Sequence, residues 1–119
     1  MAKLLIVDDE NDITEFARNF FRKRNIEVFT ASGGNEAFDV IIKERPDLVL
    51  LDVRMEEMSG LDLLKRLKEN NKEIKIIMVS GIEEEETIQK TKEFGVIGFI
   101  HKPLVLEELE KVVLKELGK

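Results

Sequence analysis

Five side chains that could support phosphoryl transfer stand at the ends of predicted strands. Asp8 and Asp9 follow the first apolar run, Asp52 follows the third, Ser80 ends the fourth and Lys102 ends the fifth. Crowded carboxylates repel one another, and a divalent cation relieves that repulsion. Oxygen ligands without cysteine or a suitable histidine favour a hard ion, and few carboxylates with water and phosphate suit Mg²⁺. One carboxylate could then attack a phosphoryl group whose oxygens the metal, the ammonium and the hydroxyl neutralise.

Each of these residues also has an ordinary structural explanation. The aspartates could cap helices, Ser80 could be a turn hydroxyl, and Lys102 could be a solvated lysine. Their joint placement favours a shared site, because ligands in open α/β sheets bind beyond the carboxyl ends of the strands. The site forms only if strands one, three, four and five lie side by side.

The elements that must position these residues are apolar runs alternating with helical patterns. Strands are predicted at 4–7, 27–31, 48–51, 74–80 and 96–102. The first, third and fourth are nearly continuous apolar runs, typical of parallel strands covered on both faces. Right-handed crossovers between such strands predict an α/β fold, a three-layer sandwich with a five-stranded parallel sheet and five helices.

Apolar residues at helical spacing separate the strands. The predicted core-facing positions are Ile13, Phe16, Ala17 and Phe20 in the first helix, Ala37, Phe38, Ile41 and Ile42 in the second, Leu61, Leu64 and Leu67 in the third, and Leu106, Leu109, Val113 and Leu117 in the fifth. Residues 83–86 are predicted to open the fourth helix, where acidic side chains favour the positive end of the dipole, and Gly95 to close it. Gly33-Gly34 and Ser59-Gly60 predict turns before helices.

Length and composition narrow the class of protein. The 119 residues, with a net charge of −6, suit one compact domain spanning 1–119. The acidic balance and the lack of a basic cluster or tail suited to phosphate backbones oppose direct nucleic-acid binding. Absence of cysteine excludes thiol catalysis and disulfides. No apolar run approaches the roughly 20 residues that cross a bilayer, and no signal peptide opens the chain, so we expect a cytoplasmic protein with no membrane partner.

An ordered set of motifs resembles the receiver domain of two-component response regulators over essentially the whole chain. The motifs are LLIVDDE at 4–10, PDLVLLDVRM at 46–55, MSGLDLLKRL at 58–67, IIMVSG at 76–81 and GFIHKPL at 98–104. This resemblance implies the flavodoxin-like strand order 2-1-3-4-5. It also implies that Asp52 is the phosphoacceptor and that Asp8, Asp9, Asp52 and the main-chain carbonyl of Arg54 bind Mg²⁺.

The resemblance assigns the remaining site residues and the partners. Ser80 matches the switch hydroxyl, Lys102 the phosphate-binding lysine, and Phe99 an aromatic side chain that turns inward on phosphorylation. A cis bond before Pro103 is expected. The phosphoryl group would come from a sensor histidine kinase or a histidine phosphotransferase, and phosphorylation would change binding of a downstream target protein. The chain would assist its own phosphorylation and dephosphorylation without being a separate enzyme.

Departures from the family pattern are Glu56 in place of proline, Leu104 in place of phenylalanine, and Ser80 where threonine is more frequent. None of them removes a chemical group that the reaction needs. These departures are expected to affect the rigidity of the loop that carries Glu56 and the lifetime of the phosphoryl group.

Other functions are compatible with parts of the sequence. A receiver-like module that binds partners without phosphorylation is the main alternative. Arg54 argues against an aspartate-nucleophile phosphatase, because these enzymes usually have a second Asp at that position. Asp8-Asp9-Glu10 after the first strand argue against a flavin or dinucleotide carrier, which needs a Gly-rich loop there. His101, the only histidine, is expected to point outward rather than to relay phosphate or bind metal. Candidate partner contacts on helix one are Thr14, Glu15, Arg18 and Arg22.

Overall fold

The computed structural model of the protein describes residues 1–55, 58–70, 73–81 and 85–118, with backbone alone for residues 11–13 and 85. The strands are β1 (Lys3–Val7), β2 (Glu27–Ala31), β3 (Leu48–Asp52), β4 (Ile76–Ser80) and β5 (Gly98–His101). The helices are α1 (Asn11–Arg22), α2 (Gly34–Glu44), α3 (Gly60–Glu69), α4 (Glu85–Thr91) and α5 (Leu106–Glu116), and a 3-10 turn (Lys92–Phe94) follows α4. The predicted alternation of strand and helix is confirmed.

All strand pairs are parallel, and the sheet order is β2-β1-β3-β4-β5. This confirms the order implied by the family resemblance. The register sets Val7 beside Leu51, Asp52 beside Val79, and Ser80 beside His101. The strand ends that carry the candidate site therefore lie at one edge of the sheet, because parallel strands end on the same side.

Two apolar layers cover the sheet, and the alternation of side chains along the strands divides them. One layer joins Leu5, Leu51 and Met78 to Phe38 and Leu64; the other joins Leu4, Leu50 and Val79 to Phe21 and Leu109. By the same alternation, Asp8 and Asp52 extend the face covered by α1 and α5. Ser80 extends the opposite face, which Met78 shares.

The predicted core stripe of α1 is wrong in part. Ala17 is buried as expected, but Phe16 is 62% exposed, and Thr14 and Phe21 are buried. The buried stripe of the described side chains thus follows the spacing 14, 17 and 21, while the side chain of Ile13 lies outside the described part. The predicted and the observed stripes are offset by one residue and have the same helical period, so periodicity does not choose between them. Thr14 is therefore not a surface contact, contrary to our expectation.

In the other helices, residues at the centre of each predicted core face are buried, and several at its edges are not. Leu64, Leu67, Leu109 and Val113 are buried, whereas Ile42 is 44% exposed. Leu61, Leu106 and Leu117 are only half-buried, and Leu63, which was not predicted, is fully buried. A helix packed on a sheet buries a stripe whose width depends on its neighbours, and local spacing does not report that width.

The turn before α3 explains the Ser59-Gly60 pair. The Ser59 side chain accepts a hydrogen bond from the Asp62 N–H at 3.2 Å and so caps the helix. A Cβ atom on Gly60 would lie 2.7 Å from the main-chain oxygen of Asp52. Glycine thus allows α3 to begin directly against the end of β3.

Several element boundaries differ from those predicted. β4 begins at Ile76 rather than at residue 74, and β5 is shorter than 96–102. Gly95 does close the fourth helical segment, with φ of 76°. The Lys102–Pro103 bond is cis, as expected. Glu56 and residues 83 and 84 lie outside the described residues. Among the residues described, no helix has the length and apolar character to cross a bilayer.

Candidate functional site

Three carboxylates meet at the carboxyl edge of the sheet. One oxygen from each of Asp8, Asp9 and Asp52 lies within 4.8 Å of the others. Asp8 and Asp52 are 4% and 1% exposed, and Asp9 is open to solvent. We call these three residues the carboxylate cluster. Its oxygens are hard ligands, and Asp9 makes it reachable from solvent, so the cluster could bind a divalent metal ion.

Backbone contacts hold Asp8 in place. Its N–H donates to the carbonyl of Ala31 at 3.0 Å, which continues the β1–β2 ladder, and its Oδ1 accepts the Glu10 N–H at 2.9 Å. Burial raises the pKa of Asp8, and the charges of Asp52 and Glu10 raise it further. The hydrogen bond from Glu10 and the charge of Lys102 lower this pKa but do not cancel the rise. The ionised cluster is thus unfavourable on its own, and a dication would offset this.

Asp52 receives hydrogen bonds on both oxygens. Oδ1 accepts the Arg54 N–H at 3.1 Å, and Oδ2 accepts from Lys102 Nζ at 3.0 Å. The Lys102 N–H donates to the Ser80 carbonyl at 2.7 Å, so the end of β4 positions the lysine. Burial opposes the ammonium, but the hydrogen bond and charge of Asp52, with the charges of Asp8 and Glu10, raise the pKa of Lys102. Lys102 therefore stays a cation near neutral pH.

Ser80 on β4 and Phe99 on β5 do not belong to the carboxylate cluster. Ser80 is fully buried, and its Oγ has no hydrogen-bond partner among the residues described. A buried hydroxyl without a partner is costly, so an acceptor supplied by a ligand would satisfy it. Phe99 pairs in register with Met78 on the Ser80 face, is half-buried, and has Lys92 Nζ 5.7 Å from its ring centroid.

The structure thus brings together Asp8, Asp9, Asp52 and Lys102, and it leaves His101 exposed on β5, as we expected. Sequence reasoning missed the part played by Glu10. Its N–H orients Asp8, and its charge acts on both Asp8 and Lys102. The available signal was the run of three acids, Asp8, Asp9 and Glu10, after β1. Only the fold shows that the backbone N–H of Glu10 contacts the Asp8 carboxylate.

Comparison with known proteins agrees with the fold and identifies the family. The family model described as "Response regulator receiver domain" matches residues 4–114. The chain belongs to this family, and it is a receiver domain of two-component response regulators. Proteins of this class interact with histidine kinases and with downstream effectors.

Among its relatives, sporulation initiation phosphotransferase F of Bacillus subtilis is 38% identical over 115 residues, covering 97% of this chain and 93% of that protein. Regulatory protein AtoC of Escherichia coli is 30% identical, and the match covers 97% of this chain but 25% of AtoC. The structure of the chemotaxis protein CheY4 of Vibrio cholerae is similar with a TM-score of 0.87 at 33% identity, covering 98% of this chain and 99% of that one.

Proposed function

We propose that residues 1–119 form one receiver domain that accepts a phosphoryl group on Asp52 in a Mg²⁺-dependent reaction. The supporting observation is the contact of 3.0 Å between Lys102 Nζ and the buried Asp52 carboxylate, beside two further carboxylates. A nucleophile, a fixed cation and hard oxygen ligands at one sheet edge meet the needs of phosphoryl transfer, which depends mainly on positioning and charge neutralisation.

In this reaction an Asp52 oxygen forms a bond to phosphorus while the bond from phosphorus to a phosphohistidine nitrogen breaks. The leaving imidazole keeps the electron pair of the broken bond and takes up a proton, and Asp52 becomes an acyl phosphate. Lys102, which pairs with Asp52 before transfer, would then pair with a phosphoryl oxygen. The Ser80 hydroxyl would donate to another phosphoryl oxygen and gain the partner that it lacks.

The cluster residues Asp8, Asp9 and Asp52, with the main-chain carbonyl of Arg54, would hold the metal. Mg²⁺ bound there would supply positive charge to the phosphoryl oxygens. Water would later hydrolyse the acyl phosphate. The chain would assist both its own phosphorylation and its own dephosphorylation, without being a separate enzyme.

The proposed phosphodonor is a sensor histidine kinase or a histidine phosphotransferase, and a downstream target protein reads the result. Of the candidate donor contacts on α1, Glu15 and Arg22 are exposed and Thr14 is buried. The absence of direct nucleic-acid binding and the cytoplasmic location remain predictions.

Intact mass is the direct test of phosphorylation. A small phosphoramidate donor with Mg²⁺ is expected to add one phosphoryl group to the purified protein, and chelation of the metal should prevent the gain. An unchanged mass with small donors and with histidine kinases alike would contradict the proposal. That outcome would favour an interaction module that works without phosphorylation.

We further propose that phosphorylation draws Ser80 toward the phosphate and lets Phe99 turn inward, which changes the surface near α4 and α5. Both residues lie on one face of the sheet, and Phe99 is only half-buried, so its ring can become more buried. With the Phe99 ring isotopically labelled, NMR should show a new ring environment in the phosphorylated protein. Ser80→Ala should still gain mass but lose the ring shift; an unchanged shift in that variant would refute the coupling.

A further inference from the structure

A cavity lies along the β2 edge of the sheet, between α1 and α2, and it shares no lining residue with the carboxylate cluster. Its volume is about 510 Å³, a size that suits a small organic ligand. Arg18 and Arg22 of α1 form one wall, and the apolar lining comes from the half-buried Phe29 and Val40 together with the buried Ile26 and Val28. We call this space the edge cavity.

The two arginines are suited to binding an oxyanion. They lie four residues apart on α1 and so share one face of the helix. Arg18 Nη2 donates to Thr30 Oγ1 at 2.6 Å, which fixes that guanidinium against β2, while its buried Nε has no partner among the described residues. Arg22 is exposed, and among the described residues no hydrogen bond or ion pair engages its side chain.

The local charge contrasts with that of the whole chain. The net charge is −6, yet residues 18–24 contain four cations and no acid. One of these cations, Arg24, is paired with Glu110, and Glu27 is the one acid among the described lining residues of the edge cavity. Guanidinium groups bind phosphate through two parallel hydrogen bonds, so a pair of them beside an apolar wall favours a phosphate joined to an apolar body.

We propose that the edge cavity binds a phosphate monoester carrying a flat aromatic group, of the size of a mononucleotide. The phosphate would lie between Arg18 and Arg22, where Arg18 supplies a fixed positive charge and the whole guanidinium of Arg22 can donate. The aromatic group would lie on the apolar wall, where the half-buried Phe29 offers a ring edge or face. This site does not depend on phosphorylation of Asp52.

NMR titration of the amide signals with adenosine 5′-monophosphate tests the proposal. The buffer contains chelator and little salt, so that the carboxylate cluster takes no part and screening is weak. Signals of residues lining the edge cavity should move, with affinity at least tenfold above that for adenosine and for inorganic phosphate. Equal affinity for adenosine, or for phosphate, would overturn the proposal, as would shifts confined to other surfaces.

A matched pair of variants separates recognition from general attraction. Arg22→Gln should weaken binding roughly tenfold, the loss of one charge-assisted hydrogen bond. Lys23→Gln removes the same charge from an exposed neighbour that does not line the edge cavity, and its effect should stay below about twofold. Equal weakening by the two variants would show attraction by net charge alone and would refute the site. Because a small phosphoramidate donor makes no use of the partner contacts on α1, phosphorylation of Asp52 by that donor should be unchanged in both variants.

Discussion

Asp52→Ala is expected to abolish phosphoryl acceptance completely. The variant removes the nucleophilic carboxylate, and neither other member of the carboxylate cluster has a direct bond to the Lys102 ammonium among the hydrogen bonds of the described residues. Neighbouring acids therefore lack the paired cation that would neutralise the incoming group. The measurement is intact mass after treatment with a phosphoramidate donor and Mg²⁺, under conditions in which the unchanged protein is fully modified.

Asp52→Asn refines this test because the amide keeps the size of the side chain and an acceptor for the Arg54 N–H. It should also gain no mass, which separates loss of the nucleophile from loss of packing. Asp39→Asn, an identical change at an exposed position on α2, is the matched control and should behave like the unchanged protein. A phosphoryl group found on Asp52→Asn would assign the acceptor to another residue.

Lys102→Met is expected to slow phosphorylation by on the order of 100-fold, the scale seen when one fixed charge-stabilising donor is removed. Methionine preserves much of the length of the side chain but cannot pair with Asp52 or with a phosphoryl oxygen. Loss of the cation leaves the carboxylate cluster more negative, so Mg²⁺ affinity should rise. The time course of mass gain at saturating Mg²⁺, with a separate metal titration, measures both quantities.

A lower phosphorylation rate together with a higher Mg²⁺ affinity would distinguish a role of Lys102 in phosphoryl transfer from a general loss of the site. The phosphorylation rate of Lys102→Arg should lie between those of Lys102→Met and the unchanged protein, because guanidinium keeps the charge but differs in shape from the compact ammonium. Lys43→Met, at an exposed position on α2, is the control for loss of one positive charge. An unchanged rate in Lys102→Met would exclude the lysine from phosphoryl transfer.

Local pattern in the chain was sufficient to predict the alternation of strands and helices and the polar residues that meet at one edge of the sheet. The apolar runs before Asp8 and Asp52 predict buried parallel strands, and both are fully or almost fully buried. The polar residues at the ends of those runs identify the candidate cluster, since side chains at strand ends in an α/β sheet converge on one edge. The motif resemblance added the strand order, which no single segment encodes.

Tertiary structure alone decided the details that depend on residues distant in the chain. It selected the stripe of α1 that is buried, leaving Phe16 exposed and Thr14 inside. It placed Lys102 Nζ 3.0 Å from Asp52, 50 residues away, and it left Ser80 Oγ without a partner among the residues described. The physical reason is that periodicity is a property of neighbouring residues, whereas burial, pairing and pKa depend on which surfaces meet when the sheet and helices pack.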